Sequence, residues 1–386
     1  MSLTIRPDIA HLEESKIVEV WRMGFDIPDV IGMWVGQGDL PTPRFICDAA
    51  AQAMAAGDTF YTHKRGIPEL RAALIDYHRD LYGVEIADSR IAVTSSGMNA
   101  MMLIVQTLVS AGDNVVCVTP VWPNIFAAIQ IQGGIARHVP MTGTDHGWEL
   151  DIGRLFAACD ERTRAIYLAS PGNPTGWVMP EGQRRAVLAF VRQRGIALIS
   201  DEVYNRLIYN RPVAPSLLEI AEPGDPLFIV NSFSKTWAMT GWRVGWIVLP
   251  QGLTDQMDRL IEFNTSGGQS FLQHGCIAAI REGEPWVKWM VERCKRGRDL
   301  VLGRLGSMNR VSVIPADASF YLMLKVEEMG DPVEFCKRLV REARIGLAPG
   351  TAFGAGGEQY LRLCYAQGED RLDEAMDRLQ AFLGKA

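Results

Sequence analysis

From Arg90 onward, short runs of β-branched and apolar residues alternate with longer stretches whose apolar positions recur at helical spacing. This is the pattern of a parallel sheet covered by helices. Ile91–Thr94 reads as a strand, residues 98–109 as a helix, Gly112 and Asp113 as a turn, and residues 115–118 as the next strand, closed by Pro120. Further strands are predicted at 165–169, 196–200, 227–230 and 244–249, with a helix over 180–194 whose proline suits a first turn. Polar residues gather where these strands end, at Ser95, Ser96, Ser170, Asp201 and Ser232. Open α/β sheets bind ligands at the carboxyl ends of their strands, so the chemistry is expected on that edge.

The pattern changes over the last hundred or so residues. A charged helical stretch at 284–305 is followed by a strand at 320–326, a helix at 331–343 and a final helix before Ala386. This predicts a larger α/β domain over 44–283 and a smaller α+β domain made of 284–386 with the N-terminal arm, 1–43.

The chain has 386 residues, 48% hydrophobic and 22% charged, enough to bury a large core. A net charge of −6 without any Lys/Arg block argues against nucleic acid as a partner. The longest apolar runs are strand-sized, far short of the ~18 residues of a membrane span. A soluble protein is expected. The N-terminus lacks the apolar centre of a secretory signal, which points to the cytoplasm. Seven cysteines without a CxxC pair read as reduced, mostly buried thiols, and no metal site is expected.

The strongest local signal is Ser232-Phe233-Ser234-Lys235, followed by Thr240-Gly241-Trp242-Arg243-Val244-Gly245. A lone lysine past a buried strand would read as a solvated loop residue. Here two hydroxyls and an arginine eight residues further on supply donors and a forked cation suited to a phosphate ester. A lysine beside such a site can carry an aldehyde cofactor as an imine.

This segment is similar to the cofactor-lysine motif of fold type I pyridoxal-phosphate-dependent aminotransferases, the aspartate aminotransferase superfamily of class I and II. The resemblance covers nearly the whole chain, with further segments in that family's order. It implies a large domain with a mostly parallel seven-stranded sheet between helices, a smaller α+β domain, and pyridoxal 5′-phosphate held by Lys235 as a Schiff base. Ser96-Gly97-Met98 opens a helix straight after a strand; alone this is an ordinary turn, but the amides of Gly97 and Met98 could bind phosphate. With Ser96, Ser232, Ser234 and Arg243 they complete the implied phosphate site. Trp122, in Pro120-Val121-Trp122-Pro123-Asn124, matches the family's aromatic platform for the pyridine ring. Asn173, in the turn Asn173-Pro174-Thr175-Gly176, and Tyr204 match residues that bind the phenolic oxygen.

Asp201, in Asp201-Glu202-Val203-Tyr204, ends an apolar strand where a carboxylate needs a partner. The resemblance makes that partner the protonated pyridine nitrogen. Arg362 lies in the apolar run Tyr360-Leu361-Arg362-Leu363-Cys364, where a buried guanidinium awaits an anion. By resemblance it clamps the substrate α-carboxylate, helped by Gly36; many relatives have Glu-Pro where this chain has Gln37-Gly38. Tyr61 resembles a tyrosine that reaches the phosphate of a neighbouring subunit, which implies a homodimer with shared active sites. Phe353 is expected to line the substrate side.

The implied reaction is a ping-pong transfer of an amino group from an L-amino acid to a 2-oxo acid, with Lys235 moving the Cα proton. A carbon–sulfur β-lyase on the same fold is the alternative, and a non-catalytic ligand-sensing module a more distant one. No GxGxxG follows the first strand, which argues against a dinucleotide-binding oxidoreductase. The loop from Asn264 to Gln269 offers no cation for a distal carboxylate; Lys64 or Arg65, beside Tyr61, could reach in from a partner subunit, but the favoured reading there is a solvated loop. The amino donor therefore stays open among aspartate, aromatic and aliphatic amino acids.

Overall fold

Successive side chains of a strand leave on opposite faces, so unbroken apolar runs need cover on both sides. In the computed structural model, which describes residues 3–384, they have it. Seven strands form one sheet: β1 (Ile91–Thr94), β2 (Asn114–Thr119), β3 (Ile135–Pro140), β4 (Thr163–Ala169), β5 (Ala197–Asp201), β6 (Leu227–Ser232) and β7 (Gly245–Val248). Their order is β1-β7-β6-β5-β4-β2-β3, and only β7 runs antiparallel to its neighbours. Val116, Val118, Ile166, Leu168 and Leu198 enter one apolar layer, and Val115, Cys117, Ala165, Tyr167 and Ile199 enter the other.

Six of these strands follow from the hydrophobic pattern. The seventh, β3, is an edge strand in which Arg137 is half-buried and His138 exposed, so it shows no apolar run. The helix expected from Pro180 begins at Glu181, with Pro180 one residue ahead in extended backbone.

Two helices bear most directly on the site: α1 (Lys16–Met23) and α2 (Gly97–Leu108). Helix α2 follows β1 after a two-residue turn. Its first turn is capped by the Ser96 hydroxyl, which accepts from the Asn99 amide at 2.9 Å. Ala100, Met101, Leu103 and Ile104 bind it to the sheet, fixing its N-terminus at the carboxyl edge.

The smaller domain carries a four-stranded antiparallel sheet, β8 (Val311–Ile314), β9 (Tyr321–Val326), β10 (Ala348–Pro349) and β11 (Leu361–Cys364), in the order β8-β9-β11-β10. Helices Glu284–Gly306 and Glu369–Leu383 cover it through Val301, Leu305, Leu372, Met376 and Leu379. The helix expected at 331–343 is an α-helix over Pro332–Arg338 that widens into a π-helical turn over Leu339–Ala343. The N-terminal arm joins this part of the chain: Ile31–Gly32 pairs in parallel with Ile345–Gly346.

Five of the seven cysteines are buried, with Cys47 and Cys159 half-buried. Among the described residues no helix is long and apolar enough to cross a membrane.

Candidate active site

At the carboxyl edge of the large sheet, a cavity of about 520 Å³ opens between the strand ends, the small-domain sheet and α1. The register of β7 explains its floor. Gly245 pairs with both Thr94 and Ser232, which brings the ends of β1 and β6 to one level. A Cβ on Gly245 would lie 2.6 Å from the Gly97 amide nitrogen, so only glycine lets α2 start this close to the sheet.

At this end Gly97, Met98, Ser232, Ser234 and Arg243 all line the cavity. The Ser232 hydroxyl caps the short helix Phe233–Thr236, accepting from the Ser234 amide at 3.1 Å, and it donates to the Ser234 hydroxyl at 2.8 Å. Arg243 has left-handed backbone (φ 53°) and donates to the Thr240 carbonyl at 2.7 Å. Helix-start amides, two hydroxyls and a guanidinium make a donor set for a phosphate dianion.

Lys235 follows within the same short helix, and its Nζ donates to the Gly36 carbonyl at 2.5 Å. Burial lowers this amine to about 8, and the nearby positive charges of Arg362 and Arg243 act in the same direction. Asp201, at the end of β5, is buried and raised to about 6 by desolvation. The Val203 amide at 3.2 Å, the Tyr167 hydroxyl at 3.1 Å and the charge of Lys235 oppose that rise. Trp122, Asn173 and Tyr204 line the walls between these groups.

Arg362, on β11, is 2% exposed. Its guanidinium carbon lies 4.4 Å from the Tyr321 ring centroid and 4.7 Å from that of Phe353. One terminal nitrogen donates to the Asn173 side-chain oxygen at 2.9 Å, and the other donates to the Trp34 carbonyl. Its buried Nε has no hydrogen-bond partner among the described residues. A fixed guanidinium with a donor left over is suited to receive a carboxylate. Gly36 borders the same space, where a Cβ would fall 2.1 Å from the Tyr321 hydroxyl and 3.5 Å from Lys235 Nζ.

The family model for aminotransferase class I and II matches residues 28–379. The chain belongs to the class I and II aminotransferases. It is 31% identical to the aspartate aminotransferase of Pyrococcus horikoshii over 96% of this chain and 95% of that one. It is 30% identical to the aromatic-amino-acid aminotransferase 2 of Thermococcus litoralis over 99% and 98% of the two chains. Among solved structures, a single mutant of the Thermus thermophilus aspartate aminotransferase superposes with a TM-score of 0.91 at 27% identity, covering 98% of this chain and all of that one. This aminotransferase therefore depends on pyridoxal 5′-phosphate and transfers amino groups between amino acids and 2-oxo acids. The carbon–sulfur lyase alternative gains no support from these relatives.

The donor set fits the aminotransferase cofactor: a phosphate cradle, a low-pKa lysine, a buried carboxylate and an aromatic wall face one space. Every expected site residue lines that space except Ser96, Tyr61 and Phe353. Ser96 caps α2, so its hydroxyl serves the helix that presents Gly97 and Met98. Phe353 is fully buried behind Arg362, where it packs on the guanidinium. Tyr61 is 94% exposed and borders a separate surface pocket with the loop from Thr265 to Phe271.

Two tyrosines that contact these residues were not singled out from the sequence. Tyr321 places its hydroxyl 2.7 Å from that of Tyr204 and stacks against Arg362. Tyr167 supports Asp201 from the neighbouring strand. Each is a tyrosine in an apolar strand, and the signal available was a hydroxyl that would need a buried partner.

Proposed function

We propose that the cavity around Lys235 is the transamination site, with residues assigned as follows. Lys235 Nζ is the point of covalent attachment for pyridoxal 5′-phosphate. Gly97, Met98, Ser232, Ser234 and Arg243 hold the phosphate, with Ser96 fixing the helix that presents the amides. Asp201 faces the ring nitrogen, Trp122 covers the ring, and Asn173 and Tyr204 serve its phenolic oxygen. Arg362, backed by Phe353 and bordered by Gly36, takes the substrate α-carboxylate. The observation that carries this reading is that Lys235, Asp201 and Arg362 line one cavity.

Once bound, the cofactor supplies a conjugated ring that accepts the electron pair left when the substrate Cα loses its proton. The protein's part is placement and proton transfer. Arg362 fixes the carboxylate so that the Cα–H bond can point at Lys235. An amine held near 8 is unprotonated in an appreciable fraction at neutral pH, where a free lysine is almost wholly protonated, which suits it to take the Cα proton and deliver it to the cofactor side. A cationic ring nitrogen against Asp201 would offset the desolvation that raises this carboxyl. The buried Tyr204–Tyr321 hydroxyl pair gives Tyr204 a fixed orientation toward the cavity.

The same reading makes the enzyme a cytoplasmic homodimer whose partner receives Tyr61. Phe60 and Tyr61 are 82% and 94% exposed side by side, an apolar pair suited to cover by a second chain. It also places the domain boundary at Pro43 and Gly283, with 1–43 and 284–386 forming the smaller domain.

Replacing Lys235 by Ala tests the assignment. The variant is expected to keep its fold and bind the phosphate while losing at least about a thousandfold in turnover. Turnover close to that of the unaltered enzyme would refute the role of Lys235.

A further inference from the structure

We propose that the enzyme's amino donor carries an uncharged, apolar side chain, aliphatic or aromatic, and no second carboxylate. This rests on the assignment of Arg362 and Lys235 above and deepens it.

Among the described residues three cations line the cavity: Lys235, Arg243 and Arg362. Each has an assigned role, in proton transfer, at the phosphate and at the α-carboxylate. A dicarboxylic donor would bring a further carboxylate into the remaining space, where it would lose water without a cation in exchange. Apart from the uncharged Ser15, Gln37, Asn124 and Thr240, what faces that space is hydrocarbon. Ile17, Val18 and Trp21 of α1 line the cavity, joined by Val35 from the following segment. Residues 17 and 21 are one helical turn apart and 18 adjoins 17, so the three form one apolar stripe. Trp21 is 39% exposed and packs only partly, against Phe25 at 4.9 Å between ring centroids, which leaves its indole available to a ligand.

The nearby cations are placed elsewhere. Lys16 is set back from the stripe by the helical spacing and does not line the cavity. Arg22 pairs with Glu14 at 2.6 Å, and Lys337 with Glu19 at 2.7 Å. The loop proposed to reach a second subunit fares the same: Lys64 pairs with Glu262 at 2.5 Å, and Arg65 is buried against Asp258 at 3.0 Å. Neither this chain nor a symmetric copy would bring either of them as a free cation.

The test uses the full-length, cofactor-loaded enzyme and follows its absorption spectrum after adding L-leucine, L-methionine, L-phenylalanine, L-aspartate or L-glutamate. The three apolar donors are expected to convert the cofactor to its amine form at least about tenfold faster, at equal concentration, than the two acidic ones. Calorimetry gives a readout independent of turnover: 3-phenylpropionate is expected to bind more tightly than succinate. Val18→Arg adds a cation to the stripe and is expected to shift both preferences toward the dicarboxylates. Faster reaction with aspartate or glutamate, or tighter binding of succinate to the unaltered enzyme, overturns the proposal and leaves the transamination site standing. Failure of every donor to react overturns the site assignment and this proposal with it.

Discussion

A lysine in water keeps its proton to roughly pH 10, and the site depends on Lys235 departing from that. Burial and two neighbouring guanidinium groups bring its amine down to about 8. Only the unprotonated amine attacks an aldehyde, so capture of pyridoxal 5′-phosphate by the cofactor-free protein should quicken as pH rises and level off above about 8. Stopped-flow absorbance measures this directly; a rate still climbing past about pH 10 would mean that the lysine is not held as the structure holds it. Asp201 and Arg362 were legible in the sequence because each is a charged group in an apolar strand and needs a partner, and Lys235 because two hydroxyls and Arg243 stand beside it. Tyr321 and Tyr167 were not, since a tyrosine fits an apolar strand without asking for explanation. Their roles rest on hydroxyl contacts between strands far apart in the chain, Tyr204 with Tyr321 and Tyr167 with Asp201.

At the level of elements, the site is an edge held at one height by strand register and by the close start of α2. Gly245 permits that approach, because a methyl group there would meet the Gly97 nitrogen at 2.6 Å and the Asn231 carbonyl oxygen at 2.8 Å. Gly245→Ala should therefore cost about 1–3 kcal/mol of stability by overpacking and also weaken cofactor binding, since it displaces the first amides of α2. Thermal unfolding and a cofactor titration check the two effects; a variant with both unchanged would show that α2 is not held by this contact. Six strands of the large sheet were legible because burial on both faces writes them as apolar runs. Strand β3 was not, as its residues are mostly exposed or half-buried and its sequence mixes Arg137 and His138 with apolar residues. The widening of the helix after Arg338 into a π-turn left no mark in the apolar pattern either, because Leu339, Val340 and Ala343 are buried as they would be in a regular helix.

In the whole molecule, the N-terminal arm and the small-domain sheet come together over the carboxyl edge of the large sheet, so that Gly36, Tyr321 and Arg362 meet Lys235 and Asp201 in one cavity. Tyr61 stands outside it with its side chain almost wholly exposed. If a second chain receives that side chain, the enzyme should sediment as a dimer, and Tyr61→Phe should weaken cofactor binding on the order of tenfold, as loss of a hydrogen bond to a charged group does. A monomer with full cofactor affinity would contradict the shared site. Covalent attachment comes down to one nitrogen, which is identified by reducing the cofactor-loaded enzyme with borohydride, digesting it and locating the pyridoxyl group by mass spectrometry. The label is expected on the peptide containing Lys235; a label on any other lysine, with Lys235 unmodified, would contradict attachment there.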